Sequence, residues 1–124
     1  MGVSELMNRV MVITESLNLK EPARIMSKKN IGCLIVMKKD KITGIITERD
    51  VLKNIDKLNK KVSNVMSKDV ITVEHDRHID DDAELMSLNK VKRLPVVNKN
   101  KIIGIITATD LLAHCESLND SFFF

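Results

Sequence analysis

Gly44-Ile-Ile-Thr-Glu-Arg-Asp50 returns sixty residues later as Gly104-Ile-Ile-Thr-Ala-Thr-Asp110. Repetition at this length means one folding unit written twice, so a site in one half implies a counterpart in the other. The register extends well past the motif: Val10, Ala23, Met26, Ser27, Leu34, Val36 and Leu52 match Val70, Ala83, Met86, Ser87, Leu94, Val96 and Leu112. Upstream of Val10 the offset slips to fifty-nine, pairing Val3-Ser-Glu-Leu-Met7 with Val62-Ser-Asn-Val-Met66. One extra residue in Met66-Ser-Lys-Asp-Val70, against Met7-Asn-Arg-Val10, accounts for the slip. The expected division is residues 1–61 as the first repeat, 62–118 as the second, and 119–124 as a C-terminal tail.

A repeat of about sixty residues is marginal alone, so the two halves of this 124-residue chain are expected to pack together. The hydrophobic fraction is 44% without Trp or Tyr, and all three Phe fall in Phe122-Phe123-Phe124, so Ile, Leu, Val and Met must build the core. No apolar run approaches the ~18 residues that cross a bilayer, and Met1-Gly-Val-Ser-Glu lacks the basic start and apolar stretch of a signal peptide. Two widely separated cysteines form neither a disulfide framework nor a zinc site. The expectation is a soluble protein of the reducing cytoplasm. The net charge of +3 is uneven: residues 1–61 hold thirteen Lys/Arg against seven Asp/Glu, and residues 62–124 hold seven against ten. The first half therefore attracts anionic partners at long range.

Val10-Met-Val-Ile13 and Val70-Ile-Thr-Val73 read as short β-branched strands. Leu19, Ala23 and Met26, matched by Ile79, Ala83 and Met86, recur at helical spacing, and Asn18 with Glu21 reads as a capping box at the first helix. Two strands follow in each half: Cys33–Met37 and Lys41–Thr47, then Leu94–Val97 and Lys101–Thr107, with turns at Lys39-Asp40 and Asn98-Lys99-Asn100. Closing helices carry Val51, Leu52, Ile55 and Leu58, matched by Leu111, Leu112, Cys115 and Leu118. Each repeat is predicted as β-α-β-β-α, giving an α+β fold.

Thr47 ends a strand and Asp50 enters the next helix, so the pair suits a capping box in which the hydroxyl accepts a helix N–H and the carboxylate reaches back. The same geometry also suits a ligand. Unpaired N–H groups at a helix start attract phosphate and a Thr hydroxyl can donate to it. A carboxylate, repelling phosphate, would instead accept hydrogen bonds from a ribose diol. Glycine before the strand end would let a planar base lie close to the backbone. Both readings stand on the pattern alone.

The Met7 and Met66 lead-ins, the Ala-x-x-Met helices, Leu94-Pro-Val-Val97 and both Gly-Ile-Ile-Thr-x-x-Asp segments together resemble the cystathionine β-synthase (CBS) domain in its tandem arrangement, over nearly all of residues 3–118. The resemblance implies two pseudo-twofold-related repeats, with sheets packed together, helices outside, and clefts between repeats that bind AMP, ADP, ATP or S-adenosylmethionine. It places Thr47 and Asp50 in one cleft, Thr107 and Asp110 in the other. It puts Val10, Met11, Cys33 and Leu34 near one adenine, and Val70, Ile71, Leu94 and Pro95 near the second. Arg49 is a candidate phosphate contact in the first cleft, Lys68 or Arg93 in the second. The copies differ: Ile35 stands where the other has Pro95, Gly32-Cys33 where it has Lys92-Arg93, and Arg49 where it has Thr109. Equal binding is not expected.

His75, His78 and Asp80-Asp81-Asp82 invite a metal reading, but acids in a first turn suit a helix dipole without any metal. Cys115 is expected in the core and His114 at the surface. No catalytic constellation stands out. The expectation is a non-enzymatic regulatory module, requiring no cofactor, that takes an adenosyl ligand, forms a homodimer and signals in trans to a separate effector protein. Phe122–Phe124 are expected at the dimer contact. Two alternatives remain: a DNA- or RNA-binding protein using the basic first half, and a dimerisation scaffold whose clefts hold no ligand.

Overall fold

The computed structural model describes residues 2–112 and 114. Cys115 and Phe122–Phe124 lie outside the described residues. The chain divides into two compact units, one of Val10–Val70 and one joining Met1–Arg9 to Ile71–Phe124. The lead-ins are exchanged: the first repeat's packs with the second repeat's sheet, and the second repeat's with the first sheet.

In the unit Val10–Val70 the order is β1 (Val12–Thr14), α2 (Lys20–Lys29), β2 (Cys33–Lys38), β3 (Lys41–Thr47), α3 (Glu48–Lys53), a 3-10 turn (Ile55–Lys57) and α4 (Val62–Val65). The other unit has α1 (Val3–Leu6), β4 (Val73–Glu74), α5 (Ile79–Asn89), β5 (Arg93–Asn98), β6 (Lys101–Thr107) and α6 (Ala108–Leu112). Each sheet is mixed: β1-β2-β3 and β4-β5-β6, with the first pair parallel and the second antiparallel. The predicted β-α-β-β-α order is present in both, preceded in sequence by the lead-in helices α1 and α4.

The antiparallel pairs close through two-residue turns, Lys39-Asp40 and Lys99-Asn100, with all four residues at positive φ. That conformation matches the right-handed twist of the flanking strands. The long helices end on left-handed residues, Asn30 and Lys90, both at φ 55°. Asn tolerates this conformation better than Lys.

Apolar residues from one face of each sheet meet the helices. Ile13, Leu34, Val36 and Ile46 pack with Leu19 and Met26, and with Val51 of α3 and Val62 of α4. Val73, Leu94, Val96 and Ile106 pack with Ile79, Ala83 and Met86, and with Val3 of α1. Burial of Val3 and Val62, both 0% exposed, anchors the lead-ins.

Three sequence expectations need correction. The first strands start later than Val10 and Val70, at Val12 and Val73. The second is the shorter for a covalent reason: Ile35 N–H donates to the Met11 carbonyl at 3.0 Å, and Pro95, at Ile35's position, has no N–H to give. Asn18 and Glu21 do not form a capping box. Asn18 Oδ1 accepts from Lys20 N–H at 3.0 Å, and the Glu21 carboxylate pairs with Arg24 instead. The closing helices bury only part of their apolar set. Val51 and Leu111 face the cores, whereas Leu52 is 67% and Ile55 57% exposed.

Among the described residues one charged group is buried. Asp82 is 0% exposed and receives Arg77 Nε on Oδ1 at 2.9 Å, while its Oδ2 is buried with no hydrogen-bond partner. The first repeat has Leu17 and Pro22 at these positions. Burial pushes the Asp82 carboxyl above its ordinary value, against the opposing pull of Arg77.

Candidate functional site

The recurring motif forms the same notch in both units. Thr47 is the N-cap of α3: its N–H and its hydroxyl donate to Asp50 Oδ2 at 2.9 and 3.0 Å, and its Oγ1 accepts from Asp50 N–H at 3.3 Å. Thr107 and Asp110 repeat this at 3.0, 2.7 and 3.3 Å. The capping box is therefore real in both copies. In each copy both bonds that the carboxylate accepts from the threonine fall on Oδ2 of a half-buried side chain. An ionised carboxylate has two accepting oxygens, so Oδ1 remains outside the box in each copy.

The box limits what else the motif does. A threonine hydroxyl has a single proton, and in both copies it points at the aspartate, so it reaches a phosphate only by leaving the box. The helix starts are also largely occupied. Glu48 N–H donates to the Gly32 carbonyl at 3.0 Å and Ala108 N–H to the Lys92 carbonyl at 2.8 Å. Within the first three helical positions only the Arg49 and Thr109 N–H groups lie outside these bonds.

Gly44 and Gly104 have a different role from the one their position suggested. A Cβ on Gly44 would lie 2.5 Å from Met66 Sδ and 2.9 Å from the Ser67 carbonyl; on Gly104, 2.7 Å from Met7 Sδ and 2.9 Å from the Asn8 carbonyl. The space belongs to the lead-in methionine rather than to a base. Ser67 and Ile45 exchange backbone hydrogen bonds at 2.9 Å, and Asn8 and Ile105 do so at 2.8 and 3.0 Å. Each lead-in thereby also covers the otherwise open edge of β3 or β6.

Of the remaining candidates, Cys33 is paired in register with Thr47, and Arg93 with Thr107. Arg93 is half-buried and Arg49 exposed. Met11 is 38% exposed, Val10 and Val70 are half-buried, and Ile71 packs partly against its unit's core. Leu34 and Leu94 are wholly buried within the two cores, and Pro95 is buried as well. Lys68 and Val70 belong to the unit Val10–Val70, whereas Ile71, Arg93, Leu94 and Pro95 belong with Thr107 and Asp110.

One contributor escaped the sequence reading. Asn8 Nδ2 donates to Asp110 Oδ2 at 2.7 Å across 102 residues of chain. The only sequence signal was the repeated lead-in, which shows that Asn8 and Ser67 are equivalent without showing what they touch. The histidine-acid cluster resolves into capping: His78 Nδ1 accepts from Asp80 N–H at 3.1 Å, and Asp82 faces Arg77. Among the described residues no group of three His, Cys, Asp or Glu is placed to hold a metal ion. No helix among them is long and apolar enough to cross a membrane.

The CBS-domain family model matches residues 3–57 and 62–117, covering both motif copies and both lead-ins. The chain belongs to the CBS-domain family. Its two CBS repeats are 42% identical over 104 residues to the uncharacterized protein MJ1232 of Methanocaldococcus jannaschii, covering 83% of this chain and 35% of that protein. They are 43% identical over 101 residues to the inosine-5'-monophosphate dehydrogenase of the same organism, covering 81% of this chain and 19% of the enzyme. The chain thus spans about a third or less of the length of these curated relatives. Among solved structures, the CBS domain pair of protein MJ0100 in complex with 5'-methylthioadenosine and S-adenosyl-L-methionine superposes with a TM-score of 0.82 at 29% identity, covering 91% of this chain and 98% of that one.

Proposed function

We propose that this CBS pair is a regulatory module that binds an adenosyl compound (AMP, ADP, ATP or S-adenosylmethionine) and signals in trans to a separate effector protein through a conformational or dimer change. The observation that carries the reading is the one-sided use of Asp50 and Asp110: the capping box loads Oδ2, and Oδ1 is left to accept from a ribose diol. A carboxylate fixed by its own cap is already oriented, so binding need not order it. The similarity to a CBS pair in complex with two adenosyl compounds supports the ligand class. Cys33 and Arg93, opposite the two threonines, are nearest in sheet register to the notches, and Arg49 is the cation nearest the first in sequence.

Asp50→Asn and Asp110→Asn separate the two roles of the carboxylate. The amide oxygen can keep the cap, but the amide nitrogen cannot accept a ribose hydroxyl. Calorimetry with AMP, ADP, ATP and S-adenosylmethionine should show each variant losing roughly tenfold to a hundredfold affinity at its own site with an unchanged melting temperature. Unchanged affinity in both variants would refute the ribose assignment.

The unit Val10–Val70 holds thirteen basic against seven acidic residues, which favours nucleic acid as a second reading. Binding through phosphates weakens steeply with salt, so a salt titration with duplex DNA separates it from nucleotide sensing.

A further inference from the structure

We infer that the Asn8 side chain is a built-in competitor for the Asp110 carboxylate and sets the affinity of that site for a ribose diol; the inference rests on the nucleoside reading above. Asp110 Oδ2 receives three donors: Thr107 N–H at 3.0 Å, Thr107 Oγ1 at 2.7 Å and Asn8 Nδ2 at 2.7 Å. Asp50 Oδ2 receives only the two from Thr47 among the described residues. A carboxylate oxygen has about two lone-pair positions, so the third donor draws further on the negative charge. Oδ1 of the same carboxylate becomes a weaker acceptor for an incoming hydroxyl.

Asn8 is well placed to act this way. Its backbone exchanges two hydrogen bonds with Ile105, and Met7 beside it fills the space over Gly104. The amide is therefore aimed by structure that a ligand does not disturb. Ser67 occupies the equivalent place against Ile45 in the other unit, and its side chain is too short to repeat the contact. The two sites are chemically alike in their Thr-Asp boxes and differ in this one arm. Because Asn8 is exposed, water already competes for its amide, which limits the effect to a modest factor.

The test isolates each site with the Asn variants described above. In the Asp50→Asn chain, Asn8→Ser should tighten AMP binding roughly threefold to tenfold. In the Asp110→Asn chain, Ser67→Asn should weaken it by a similar factor. Asn8→Ala serves as a second truncation should the serine form a contact of its own. In the otherwise unaltered protein, the Asn8 side-chain amide resonances should shift on AMP saturation. Unchanged or weaker affinity after both Asn8 truncations overturns the inference while leaving the nucleoside reading intact. If the unaltered protein binds none of AMP, ADP, ATP and S-adenosylmethionine, the nucleoside reading fails and takes the inference with it.

Discussion

Replacing Arg77 by leucine, the residue at its position in the first repeat, should be among the most damaging single changes outside the apolar cores. Asp82 is wholly buried, Arg77 Nε is its hydrogen-bond donor at 2.9 Å, and its second oxygen has no partner. Arg77→Leu leaves that carboxylate buried beside an apolar side chain. Breaking a buried pair in this way costs about 3–5 kcal/mol. The opposite change is milder. The Arg77 side chain is 39% exposed, so after Asp82→Ala its guanidinium turns to water, at a cost of about 1 kcal/mol or less. The double variant should return to within about 1 kcal/mol of Asp82→Ala, since replacing a buried pair by apolar groups is often neutral or stabilising.

The pH dependence has a definite sign. Burial raises the folded-state value of Asp82 above the ordinary 3.8. Between that value and the raised one, the native chain holds a proton that the unfolded chain has released. Stability from this group is therefore fully present below 3.8 and is lost as pH rises through the raised value. Wild type should lose stability relative to Asp82→Ala over that window, and the cost of Arg77→Leu should shrink in acid, where the carboxyl is neutral. Urea unfolding followed by circular dichroism at neutral and acidic pH measures both. A cost for Arg77→Leu below about 1 kcal/mol at neutral pH, or one that does not shrink in acid, refutes the reasoning.

Gly44→Ala places a methyl group 2.5 Å from Met66 Sδ and 2.9 Å from the Ser67 carbonyl; the thioether can swing away but the paired carbonyl cannot, so a loss of about 1–3 kcal/mol is expected, and an unchanged melting temperature counts against the packing role. Pro95→Ile supplies the missing N–H and should extend the pairing of β4 with β5, stabilising by up to about 1 kcal/mol; hydrogen exchange at residue 95 checks it, with rapid exchange as the contrary result. Leu52→Asp tests the proposed homodimer: it should lower the sedimentation mass, because Leu52 lies exposed at a groove of about 430 Å³ between α2 and α3; an unchanged mass removes that face from the interface.

The sequence by itself determined whatever depends on local chemistry. The Thr-x-x-Asp spacing suited a helix cap, because both partners lie within one turn, and the cap is present in both copies. Alternation and helical spacing placed the strands and helices, and the polar pairs between strands marked the tight turns. The tandem register identified the duplication, since two copies of the same pattern in step require two copies of the same unit, and the resemblance of both copies to the CBS domain supplied the fold.

What only the tertiary structure decided involves partners far apart in the chain. The repeat pattern showed that Met7 and Met66 are equivalent but not that each lies against the other repeat's glycine, because a periodicity says which residues match and nothing about which sheet they cover. Gly44 and Gly104 thus looked like room for a ligand and proved to be room for a methionine. Asn8 on Asp110, 102 residues apart, was equally unreadable. Such contacts arise when chain segments separated by many residues are brought to the same few ångströms, and hydrogen-bond geometry, unlike residue order, exists only there.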